Sequence, residues 1–282
     1  MSEGKAVPAA VAGQGSRNLW TRIAAALVLA PLAIAAAYAG SWWWIAPVTL
    51  LAIGLFVEWL TVVGSAREKS VVAAGVVALA VAGLCLGFAR VELALAALAL
   101  GVAAIALLSV RQRRWTSAGF LYAGAAQMAS VLVRFDTATG FIALVFVLLI
   151  VWVTDIGGYF AGRGIGGAKL WPRVSPNKTW AGAVGGFAAS LVVALGFAAL
   201  DLGRSWPLLM LAAVLSVVAQ LGDLFESAVK RRFGVKDSSH IIPGHGGLLD
   251  RFDGYIAAIV LASIFGLLRG GVDGVGRGLM VW

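Results

Sequence analysis

Thr139-Gly140-Phe141-Ile142-Ala143-Leu144-Val145-Phe146-Val147-Leu148-Leu149-Ile150-Val151-Trp152-Val153-Thr154-Asp155-Ile156 carries a single charge, and that charge lies at its end. A helix rises about 1.5 Å per residue, so roughly 20 apolar residues cross a hydrocarbon core about 30 Å thick. The run therefore reads as a membrane span, with its aspartate where lipid gives way to water. Moving outward along the chain, similar runs cover approximately Ile23–Ala39, Ile45–Val63, Val71–Ala89, Leu93–Val110, Ala118–Val133, Ala181–Leu200, Trp206–Phe225 and Leu248–Leu268. The expectation is an all-α polytopic membrane protein with about nine transmembrane helices. The run at Ala118–Val133 is the weakest, being short and holding Gln127 and Ser130.

Composition agrees. Of 282 residues 61% are hydrophobic and 12% charged, and mean hydropathy is +0.95; a soluble domain has too few charges here to cover its surface. The net charge of +9 does not imply nucleic acid, because the basic residues sit in short connections between spans. There they report topology. With the N-terminus in the cytosol, the N-terminal segment and even-numbered connections hold sixteen Lys and Arg, and the odd-numbered ones with the C-terminal segment five. Positive residues concentrate on the cytosolic side, so the C-terminus is expected in the periplasm and the protein in the cell inner membrane. Trp42, Trp43, Trp44, Trp206 and Trp282 fit the outer aromatic belt. Residues 1–17 are polar and small, lack the apolar core of a cleaved signal, and read as a disordered cytosolic tail. Residues 18–136 form an N-terminal membrane half of about five helices, and 137–282 a catalytic half with basic cytosolic loops at 157–180 and 226–248. The single cysteine, Cys85, lies within an apolar run and reads as packing.

Acids in lipid are costly and point to function. Glu58, Asp155, Asp223, Glu226, Asp250 and Asp253 lie in or at the ends of spans, and the last five fall at cytosolic ends of the sixth, eighth and ninth. An oxygen-only set suits Mg²⁺, which binds through one or two carboxylates plus substrate phosphates; no Cys/His set for zinc exists. Asp223, Ser227 and Lys230 share one face if the eighth helix continues past the membrane. Structural ion pairs with Arg231, Arg232 or Arg251 are the plainer alternative for these acids. Two connections add phosphate ligands. Gly157–Lys169 is rich in glycine, and Ser175-Pro176-Asn177-Lys178-Thr179 follows it. It is neither a P-loop nor a dinucleotide fingerprint, and Ser175-Pro176 and Thr179 also suit capping of the next span. The second connection mixes cations, hydroxyls, His240, His245, glycines and acids. His245, between glycines, suits either a phosphate contact or a structural role.

The segment from Ser227 to Asp253 resembles the signature of the phosphatidate cytidylyltransferase family: Ser, Lys230-Arg231, Lys236-Asp237, an apolar-Pro pair, His245-Gly246-Gly247 and Asp250-Arg251-Phe252-Asp253. Gly222-Asp223-Leu224-Phe225-Glu226, Trp152 with Asp155, Ser175–Thr179 and Glu58-Trp59 add to the likeness, which covers roughly Trp152 to the end of the last span. Ala181 departs from it, since many members carry an acid there. The resemblance implies that CTP and phosphatidic acid give CDP-diacylglycerol and pyrophosphate, with Mg²⁺ as cofactor, at a site facing the cytosol. It places Asp223, Asp250 and Asp155 at the metal, and Asp223, Asp250, Asp253, Lys230 and His245 in the catalytic set. Ser175, Asn177, Lys178, Thr179, Ser227, Arg231, Lys236, Asp237 and Arg251 are expected to bind substrate, and a homodimer is an expectation of the same kind. Rival readings are the same chemistry on another lipid phosphate, a secondary transporter, and a lipid-binding scaffold. A transporter would place its charges near the midplane in repeated halves, which this sequence does not show.

Overall fold

The computed structural model describes residues 30–239 and 246–282. The tail at 1–17, the first part of the Ile23–Ala39 run, His240 and His245 lie outside the described residues. The order is α1 (Ala30–Ala39), α2 (Ser41–Val62), α3 (Lys69–Gly87), α4 (Val91–Leu108), α5 (Arg113–Phe135), α6 (Gly140–Gly164), β1 (Lys169–Trp171), β2 (Ser175–Thr179), α7 (Trp180–Ala199), α8 (Ser205–Arg232), α9 (Leu249–Gly270) and α10 (Val275–Met280). Among the described residues eight helices, α2 to α9, are long and apolar enough to cross a membrane. The fold is an all-α polytopic membrane bundle with one small antiparallel hairpin, β1 against β2.

Burial explains why the apolar runs differ in strength. The α4 span has the highest hydropathy and is only 22% buried, because it faces lipid; α5 has the lowest and is 72% buried. In α5, Gln127 and Ser130 reach partners inside the bundle. Gln127 Nε2 donates to Thr49 Oγ1 at 2.9 Å and to the Leu79 carbonyl at 3.0 Å. Ser130 Oγ and Tyr255 Oη share a hydrogen bond of 2.9 Å. The weakest run in sequence is thus the central helix.

Glycine sets the closest helix contacts. A Cβ at Gly185 would fall 2.2 Å from Ala161 Cβ, and one at Gly186 would fall 2.4 Å from the Thr154 carbonyl oxygen. Backbones of α6 and α7 therefore touch, as small-residue packing in membranes allows. This corrects the reading of Gly157–Gly167 as a loop that cradles phosphate. The helix α6 continues to Gly164, Gly157 and Gly162 pack against α7, and Lys169–Thr179 folds as the hairpin. The basic loop thus begins at Ile165 rather than 157. Likewise the second begins after Arg232, because α8 runs on as a helix and carries Asp223, Ser227 and Lys230 on one face.

Candidate active site

Acids and cations meet at one end of the bundle. The carboxyl ends of α2, α6 and α8, the amino ends of α5, α7 and α9, and the hairpin all face that end. Small residues set how near the acids come. A Cβ at Gly222 would lie 2.7 Å from the Asp253 carbonyl oxygen and from Ala257 Cβ, so α8 and α9 pack backbone to backbone beside Asp223. Thr154 Oγ1 donates to Ser216 Oγ at 2.9 Å, fixing α6 to α8 beneath Asp155.

The first group is open. Lys178 Nζ pairs with Asp223 Oδ2, both partly exposed. Ser227 Oγ lies 3.5 Å from Asp223 Oδ1, and Asp155 and Asp253 are within electrostatic reach of Asp223. One carboxylate thus comes from each of three helices, with a lysine among them. Asn177 is exposed beside Lys178, and Ser175 pairs with Trp171 across the hairpin. Thr179 is buried and caps α7 by accepting from Gly182 N at 3.1 Å, the second of the two roles open to it in the sequence.

The second group is a latch. Lys230 Nζ pairs with Asp250 Oδ1 and lies 2.7 Å from Glu226 Oε2. The Glu226 contact is within ion-pair reach but lacks hydrogen-bond alignment, so the lysine charge is what answers this buried acid. Asp250 Oδ2 accepts from Ser238 Oγ at 2.8 Å, Ser238 N at 3.2 Å and Gly247 N at 3.0 Å. Both ends of the segment between α8 and α9 are therefore tied to one aspartate. Arg231 bridges to the hairpin, with Nε 3.4 Å from the Val174 carbonyl oxygen. Arg232 lies over the Trp115 ring at 5.3 Å. Lys236, Asp237 and Arg251 are exposed at the same end.

Sequence reasoning noticed Glu58 but gave it no role at the site. It is fully buried. Ser239 Oγ donates to Oε1, and Leu249 N donates to Oε2 at 2.6 Å. A Cβ at Gly247 would fall 1.9 Å from Glu58 Oε1, so only glycine passes there. The signal in sequence was an acid in an apolar run; its partners lie in the opposite half of the chain.

Fold and site together define a polytopic membrane protein whose lysines, arginines and carboxylates are gathered at one end. A sequence profile of the Cytidylyltransferase family matches residues 20–268. The chain is 41% identical over 256 residues to the phosphatidate cytidylyltransferases of Brucella suis biovar 1 and Brucella melitensis biotype 1, covering 89% of this chain and 94% of each relative. The phosphatidate cytidylyltransferase of Staphylococcus saprophyticus is 50% identical over 124 residues, 43% of this chain and 47% of its own. The chain belongs to the cytidylyltransferase family, and is a nucleotidyltransferase enzyme.

Proposed function

We propose that this chain transfers the cytidylyl group of CTP to phosphatidic acid, giving CDP-diacylglycerol and pyrophosphate. The observation that carries this reading is the pinning of the described parts of the segment Ser227–Asp253, residues 227–239 and 246–253. Its inventory of lysine, arginine and carboxylates is held by Lys230, Asp250 and Glu58 at the end of the bundle where Lys178 and Asp223 also stand. An oxygen of the phosphatidate monoester attacks the α-phosphorus of CTP in line, and the bond to the bridging oxygen of pyrophosphate breaks. The nucleophile is already an anion, so no strong base is required. The obstacle is bringing two polyanions together, and fixed cations lower it. Lys178 on the hairpin, Arg231 in the last turn of α8 and Lys236 beyond it would receive phosphates. Ser227 and Asn177 supply hydrogen bonds beside them.

Mg²⁺ is part of this proposal. No three Asp, Glu, His or Cys side chains among the described residues form a complete metal cage. Mg²⁺ needs only one or two carboxylates, with substrate phosphates and water completing its shell, and the hard oxygens of Asp223 and Asp155 suit that. Asp250 would join them by exchanging Lys230 for the ion, and Asp253 stands next to them. Bound there, the ion supplies charge neutralisation at the phosphates. We further propose that the chain lies in the inner membrane with this end in the cytosol, and that Ile23–Ala39 is a ninth span.

The test is direct. Purified protein with labelled CTP, phosphatidic acid and Mg²⁺ is expected to form CDP-diacylglycerol, and Asp223→Asn to lower the rate by about 10²-fold or more. Absence of product from the wild-type protein, or an unaltered rate in Asp223→Asn, overturns the reading.

A further inference from the structure

A lateral groove of about 440 Å³ opens between α7 and α8 under the hairpin, a size typical of ligand sites. Its walls are two matched stripes. Trp180, Val184 and Phe187 line it from α7; Val217, Leu221 and Leu224 line it from α8. Each stripe keeps to one helix face by spacing of three, four and seven residues. The helices run antiparallel, so Trp180 and Leu224 mark the site end, and Phe187 and Val217 the deep end. Seven residues at 1.5 Å give a depth of about 10 Å. Trp171 of the hairpin roofs the site end.

We propose that this groove holds the glycerol-proximal part of an acyl chain of the phosphatidate substrate; this rests on the reaction proposed above. The groove adjoins the site along the chain. Asp223 lies between Leu221 and Leu224 in α8, and Lys178 precedes Trp180 by two residues. Its polar end is cationic, with Lys178 and the exposed Lys169 and Arg173 on the same hairpin. An anionic head above and an apolar chain below match that polarity. One lining residue is an amide: Gln220, a turn below Asp223 and about 4.5 Å deeper along the helix. Its Nε2 has only long contacts, 3.4 Å to the Ala183 carbonyl and 3.5 Å to Ser216 Oγ. A lipid whose phosphate lies at Asp223 brings its ester carbonyl to about that depth, where the amide can donate to it.

Val184→Trp and Val217→Trp fill the groove without touching the proposed catalytic groups. Expected is a rise of roughly tenfold in KM for dioleoyl phosphatidate, from loss of a few buried methylenes. KM for CTP, and turnover of diacetyl phosphatidate, whose chains end near the ester, stay at wild-type values. Val192→Trp, on an exposed part of α7 outside the groove, is the control and leaves all three unchanged. The groove assignment is overturned if long-chain KM stays at its wild-type value, if both lipids suffer alike, or if Val192→Trp has the same effect. A changed oligomeric state with long-chain KM intact would instead assign the groove to a second copy, and also overturns it. Binding is read separately with a phosphatidate bearing a diazirine in its acyl chain near the ester. Labelling of α7 and α8 within 180–187 and 217–224, competed by phosphatidate but not by phosphatidylcholine, is expected even if turnover fails; turnover with labelling elsewhere sinks the groove alone.

Discussion

Two hydrogen bonds on Glu58 join it to residues 181 and 191 positions away in sequence. They hold Ser239 and Leu249, while Asp250 holds Ser238 and Gly247. Each acid holds the segment at 238–239 and again at 247–249; an amide at 250 would face a donor with a donor, and one at 58 would lose the carboxylate charge and force the Ser239 hydroxyl to turn from donor to acceptor. For Glu58→Gln the expected result is CDP-diacylglycerol formation reduced about tenfold or more, with the protein still inserted and folded. Glu58→Ala adds a loss of roughly 2 kcal/mol or more of stability, since it leaves buried donors unpaired. As a positioning residue, Glu58 acts on the segment carrying Asp250 and Arg251, so both KM and kcat shift. Wild-type kinetics in Glu58→Gln would refute this role. The sequence marked Glu58 as an acid in lipid, but hydrogen bonds across that separation leave no local trace. Asp223, Lys230 and Asp250 were readable because spacing along one helix and a continuous signature place them.

The elements themselves were legible wherever hydropathy and helix ends coincide. The run Ala181–Leu200 became α7, Trp180–Ala199. Prediction stopped short where the helix outlasts the apolar composition: α6 and α8 continue through glycine and charge to Gly164 and Arg232. The hairpin was missed because Lys169–Trp171 and Ser175–Thr179 are short and show no alternation of polar and apolar residues. At the other end of the bundle one acid ties three elements. Asp136 is buried between α5 and α6 and accepts from Ala138 N at 3.0 Å, Thr139 N at 3.2 Å and Thr139 Oγ1 at 3.0 Å. It also accepts from Arg277 N at 2.8 Å, which docks α10. Burial alone would raise its pKa, but these hydrogen bonds together hold it below the ordinary 3.8. A carboxylate with a lowered folded pKa binds protons less readily folded than unfolded. It therefore adds stability above 3.8 and loses that contribution as pH falls through its folded value. Asp136→Asn is expected to cost roughly 1–2 kcal/mol at pH 7, with the gap to wild type narrowing at and below about pH 4. Thermal unfolding in detergent across pH 3 to 7 measures this, and a gap independent of pH would rule it out.

For the whole molecule, the site and the C-terminal segment lie at opposite ends. The helix α9 begins with Asp250 at the site and ends at Gly270, and α10 folds back against the Asp136 corner. Gly40 and Arg134 stand at that far end as well, with Arg134 Nη2 donating to the Tyr38 carbonyl at 3.0 Å and so closing the end of α1. The structure separates the two ends; the direction of the bundle in the membrane comes from charge. The connections α2–α3, α4–α5, α6–α7 and α8–α9 all lie at the site end and are the basic ones, which supports the proposed cytosolic orientation of that end. The same proposal puts the C-terminus in the periplasm. Alkaline phosphatase fused after Trp282 should be active and green fluorescent protein there dark, whereas fusions at Ser65, between α2 and α3, should give the reverse. A fluorescent fusion after Trp282 would invert the molecule and place Lys178 and Asp223 on the wrong side for a nucleotide supplied by the cytosol. A fusion before Ile23 tests the remaining span independently: if Ile23–Ala39 crosses, that fusion reports cytosol, opposite to Trp282.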